Sequence, residues 1–167
     1  MKIIGAIVIV VVCWALGVDF YKSNMNKLSF SKGLFDGVAF LKSEIVYTCD
    51  LLGESVLKSA EFSGAASDFM KTVGKALKEQ GVCTAAVFEI AEPTLAKNTT
   101  KEAYLLTKDL FLQLGEKDSD SHEKMLDGYL KKLETVINKQ NDFCGKECVM
   151  LKKVGTVIGI GIAVLLI

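Results

Sequence analysis

The chain has no arginine among its 167 residues. That absence removes the planar guanidinium fork that grips phosphate, guanine or carboxylate in bidentate fashion. All twenty basic residues are lysines, matched by twenty acidic residues, and the net charge is zero. With neither a basic excess nor a lysine cluster, nucleic acid is not an expected partner. Histidine and proline occur once each, as His122 and Pro93. His122-Glu123 opens an HExxH-like string, but Leu126 stands where the second histidine would be, so such a zinc site cannot close. Gly74-Lys75 and Gly145-Lys146 lack the upstream glycine and the hydroxyl residue of a phosphate-binding loop, and no GxSxG elbow exists.

The five cysteines, Cys13, Cys49, Cys83, Cys144 and Cys148, contain no CxxC pair. Cys144 and Cys148 lie one helical turn apart, a spacing able to bind a metal, yet no third ligand is near. Free cytoplasmic thiols are the expectation. No catalytic residue, metal, cofactor or small-molecule substrate is expected, and the protein reads as a non-enzyme.

Charge is also missing from both ends. Met1 to Val18 carries only Lys2, and Val154 to Ile167 carries no charged side chain. Ile3 to Val18 is an apolar run of sixteen residues, followed by Phe20 and Tyr21 as interfacial anchors. It reaches roughly 24 Å as a helix, slightly short of a hydrocarbon core of about 30 Å. The terminal run VGTVIGIGIAVLLI has fourteen residues and extends inward through Val149, Met150 and Leu151 if Lys152 and Lys153 snorkel. A cleaved signal peptide is the alternative for the first run, but no clean small-x-small cleavage site follows it, so an uncleaved anchor is expected. Val12 is too large to precede a lipoprotein cysteine at Cys13. Lys22, Lys27 and Lys32 after the first run, with Lys146, Lys152 and Lys153 before the second, place the middle on the cytoplasmic side. The expected division is a transmembrane anchor at 1–20, a cytoplasmic helical domain at 21–149 and a second anchor at 150–167. Gly155, Gly159 and Ala163 recur every four residues. They form either a helix-contact stripe or merely the glycine common in membrane helices.

The middle reads as all-α, a helical bundle. Leu28, Phe35, Val38, Leu41, Ile45 and Val46 predict a helix from about Ser23 to Tyr47. Thr48-Cys49-Asp50 breaks it, and a short helix follows to about Phe62. Ser63-Gly64 punctuates again, and Ala65 to Gln80 places Phe69, Val73 and Leu77 on one face before a stop at Gly81. Thr84 to Ala91 predicts a short helix ending before Pro93. Thr99 with Glu102 predicts a capping box for a helix burying Leu105, Leu106, Leu110 and Phe111 and stopping at Gly115. A long helix follows with Met125, Leu126, Tyr129, Leu130, Leu133, Val136 and Ile137 as its stripe and a flaw at Gly145. No strand-period segment competes.

Several local patterns then coincide. The N-terminal span opens Lys-Ile-Ile-Gly-Ala, Leu41 to Tyr47 carries a Glu-Ile-x-Tyr core, and Leu114-Gly115, Asp118 and Leu133-Glu134 follow in order. With the two apolar ends, the chain resembles stage III sporulation protein AB of endospore-forming bacteria over essentially its whole length. It departs from that family at Cys49-Asp50, where Thr-Pro is frequent, and at His122, where glutamine is usual. The resemblance implies a scaffold in the secretion-like channel complex between mother cell and forespore. It also implies a cytoplasmic domain similar to that of the type II secretion platform protein, docking a secretion-type ATPase and other membrane proteins of the complex.

An acidic, partly apolar partner surface is expected from Glu44 and Tyr47, one turn apart, and from Glu116, Asp118, Asp120 and His122 at one interhelical junction. The plainer reading keeps Tyr47 and Leu114 in the core and Gly115 as a cap. Two other functions compete: a membrane-anchored metal or redox protein using His122, Cys144 and Cys148, and a small pore-forming or stress protein acting through its two spans.

Overall fold

The structure, a computed structural model, describes residues 2–47, 52–80, 85–114 and 119–148, with helical positions at 150, 154, 157 and 161. Every described element is helical: α1 (Lys2–Tyr47), α2 (Leu52–Phe62), a 3-10 turn (Gly64–Ala66), α3 (Ser67–Gln80), α4 (Ala85–Asn98), α5 (Lys101–Gln113), α6 (Ser119–Asp142) and a π-helical segment (Phe143–Cys148). The expected breaks at Thr48 to Asp50, Gly81 and Gly115 lie outside the described residues. The flaw anticipated at Gly145 is the π-helical segment, a turn wound to i→i+5 bonding.

The chain divides into two units, residues 1–26 with 139–167 and residues 27–138. The second unit holds the core. α1 contributes Leu34, Val38 and Leu41, all fully buried, at the spacing that keeps one helical face inward. Phe69 of α3 lies at the centre, edge-on to Phe30 at 6.2 Å and to Phe111 at 5.7 Å between ring centroids. Such edge-to-face pairs add directional attraction to the burial of large rings. α6 closes the core with Leu126, Tyr129 and Leu133, as its stripe predicts.

Small residues let α1 and the corner after α2 approach at backbone distance. A Cβ on Gly33 would overlap the Ser63 carbonyl oxygen. Ser63 turns the chain: its hydroxyl donates to the Ser59 carbonyl at 2.7 Å, and its own carbonyl accepts from Ala66 N–H at 2.8 Å. Gly64 follows at φ 47°, the left-handed region that glycine enters without a Cβ clash.

Three local expectations need correction. α4 does not stop before Pro93 but runs through it to Asn98. Proline cannot donate to the Glu89 carbonyl four residues back. Both residues are exposed, so water can take that carbonyl and the helix continues. The α5 cap is Thr100 rather than Thr99: the Thr100 hydroxyl accepts from Ala103 N–H at 3.5 Å. Thr99 instead donates to the Leu95 carbonyl at 2.6 Å, closing α4, so its hydroxyl does not open α5. Leu105 is 52% exposed, while Ala103 and Thr107 occupy the buried face of α5.

Among the described residues no helix is long and apolar enough to cross a membrane. The described side chains of the first apolar run begin only at Gly5 and Val8, and Gly155, Gly159 and Ala163 of the second lie outside the described residues. In the first unit, Val8, Val11, Val12, Trp14, Leu16 and Phe20 of α1 are all at least 46% exposed.

Candidate functional site: the α1, α5 and α6 faces of the second unit

Glu44 is described and is not a free surface acid. Its carboxylate accepts from Lys58 Nζ of α2 at 3.2 Å, and only 16% of its side chain is exposed. The Tyr47 side chain lies outside the described residues, as do Glu116, Asp118 and the side chain of Asp120. His122 is half-buried on the first turns of α6, and its Nε2 is buried without a hydrogen-bond partner.

One residue beyond His122 begins a charge cluster that joins α1 to α6. Lys42 Nζ lies 2.8 Å from Asp127 Oδ1 and 3.6 Å from Glu123 Oε1. Glu123 and Asp127 are four residues apart and therefore share a helix face, where their like charges would repel without the lysine between them. The Asp127 hydrogen bond, reinforced by both carboxylates, raises the Lys42 pKa above its ordinary value despite some desolvation. Sequence reading missed this cluster because Lys42 looks like one more solvated lysine of a helix flank.

α5 and α6 are also joined through a buried pair of hydroxyls. Tyr129 Oη and Thr107 Oγ1 lie 2.9 Å apart, and Thr107 donates to the Ala103 carbonyl at 2.8 Å. Burial pushes the Tyr129 phenol well above the ordinary tyrosine range, and the Thr107 contact opposes this without cancelling it. Above this pair a groove of about 410 Å³ runs between the two helices, floored by Leu106, Leu110, Met125 and Tyr129. Its walls carry Asp109 and Gln113 on α5, and Lys124, Gly128 and Lys132 on α6. The period-four row Lys124, Gly128, Lys132 is readable in the sequence. It was masked there by the stronger apolar stripe of the same helix.

On α4 and α5, Tyr104 donates to Glu92 in a hydrogen bond, which raises the phenol pKa together with desolvation. Lys108 Nζ sits 5.9 Å from the Phe88 ring centre and 6.0 Å from that of Tyr104, bracing the same corner by cation–π attraction.

Cys144 is a buried free thiol and Cys13 a half-buried one. Cys49 and Cys83 lie outside the described residues, as does the Cys148 side chain. Among the described residues no group of three or more His, Cys, Asp or Glu side chains converges on a metal-sized site.

The fold and these faces define an all-helical protein whose second unit packs round its own core and carries paired charges at its helix junctions. The family model for stage III sporulation protein AB matches residues 2–167, and the chain belongs to that family. It is thus a protein of stage III of sporulation. No curated protein and no solved structure matches it.

Proposed function

We propose that this protein is a non-enzymatic membrane scaffold of the secretion-like channel complex between mother cell and forespore. Apolar segments at both ends tether it to the mother-cell membrane facing the forespore. Its helical unit faces the cytoplasm and is presented to the secretion-type ATPase and to membrane proteins of the same complex.

The observation that carries this reading is the exposed apolar surface of α1 from Val8 to Phe20. Six large side chains left in water there would be costly, whereas lipid covers them at no such cost. Membership of the sporulation family supplies the setting. Tethering at two points would restrict the unit's freedom, so a partner would meet it at raised effective concentration and in fixed orientation.

Membranes from sporulating cells, washed with alkaline carbonate, are expected to retain the full chain. Release into the wash would overturn the anchoring. Full chain in detergent is expected to co-elute with the ATPase of the same complex, and separate elution would remove the ATPase from the reading.

A further inference from the structure

Gly128 is a glycine that the fold itself does not require. An added Cβ there would meet nothing within 4 Å, and among the described residues only Gly64 has a positive φ. Neither close packing nor backbone conformation therefore demands glycine at this position. Yet it lies well inside the 24-residue helix α6, where glycine costs about 0.5–1 kcal/mol relative to alanine. What the missing side chain does provide is room, because Gly128 forms part of the α6 wall of the groove.

The rim of that groove has a definite charge pattern. Lys124 and Lys132 stand four residues to either side of Gly128, about 12 Å apart along the helix axis. Both are exposed and, among the described residues, have no acidic partner, unlike Lys42, Lys58 and Lys78. Asp109, also exposed and unpaired among the described residues, marks the opposite wall. The floor between them is apolar and half-buried at Leu106 and Met125.

From this we infer that the α5–α6 groove receives an acidic amphipathic helix of a partner protein. Its apolar ridge would lie over Gly128 against Leu106, Met125 and the Tyr129 ring, and carboxylates about two turns apart would meet Lys124 and Lys132. A ridge repeating at i, i+3 or i+4, and i+7 is the form such grooves accept. The apolar floor supplies affinity, while the lysines set register and select charge. Asp109 on the other wall disfavours acid there and gives the groove a polarity across its width. The inference depends only on the second unit and stands whether or not the partner is the ATPase.

The test uses the full chain in nonionic detergent and two labelled synthetic helices with the same leucine ridge. One carries glutamates along the ridge and the other lysines. The glutamate helix is expected to bind at least about tenfold more tightly, a difference of about 1.4 kcal/mol. Reversing both rim charges (Lys124→Glu with Lys132→Glu) is expected to invert that preference. Gly128→Leu, filling the groove, is expected to abolish binding of both helices while leaving the thermal midpoint at or above that of the wild type. Equal binding of the two helices, no binding of either, or unchanged binding to the Gly128→Leu chain would overturn the inference. So would a wild-type dimer that Gly128→Leu converts to monomer, because the occupant would then be a second copy. Should Gly128→Leu fail to fold, the rim reversal, which alters only exposed side chains, decides alone.

Discussion

At Gly33 a single methyl group decides whether α1 can lie against the corner at Ser63. The atom in its way is a backbone carbonyl oxygen, which cannot swing aside as a side-chain tip can. Gly33→Ala is therefore expected to cost about 3 kcal/mol, the upper end of the overpacking range. Gly128→Ala, in open space, is expected to gain up to about 1 kcal/mol. Urea unfolding of the two full-length variants would show the midpoints moving in opposite directions, and a shift of the same sign would contradict the packing described. Nothing in the sequence separates these two glycines, since each lies within a helical stretch beside an apolar stripe. Their difference is set by which helix crosses them. The same limit applied to Glu44, whose partner Lys58 lies on another helix, and to Lys42, whose partners are 81 and 85 residues away.

At the scale of elements, periodicity was the dependable signal and punctuation the weaker one. Leu126, Tyr129 and Leu133 were legible as the inner face of α6, and Phe69, Val73 and Leu77 as that of α3, because burial of one face imposes the helical period on composition. Pro93 misled because a proline costs a helix one hydrogen bond and some steric crowding, and at the exposed Glu89 and Pro93 that cost does not end α4. The adjacent threonines misled because both can cap: Thr99 turns back to close α4 and leaves Thr100 to open α5. Thr100→Ala is accordingly expected to cost about 0.5–1 kcal/mol, the lower part of the capping range, since its bond to Ala103 N–H is long. Circular dichroism melts of the variant would check it, and an unchanged midpoint would reassign the cap.

For the whole molecule, three groups tie stability to alkaline pH in the same direction. The Tyr129 and Tyr104 phenols and the Lys42 ammonium all hold their protons more tightly when folded than in the unfolded chain. Below about pH 10 both states keep these protons and stability is full. Above it the unfolded chain releases them first, so stability falls as pH rises towards the folded-state values. Urea midpoints measured from pH 7 upward should therefore be level and then decline, and Tyr129→Phe should flatten the decline. Family membership was also legible at this scale, from short motifs spread along the chain and the two apolar ends, although each motif alone says little. The groove wall at Gly128 has one last consequence. The residues that would most stabilise α6 there, alanine and leucine, are also those that begin to fill the space a partner helix would use. A screen that rewards only heat resistance would keep enriching such variants while their docking declined, and it would report them as improvements.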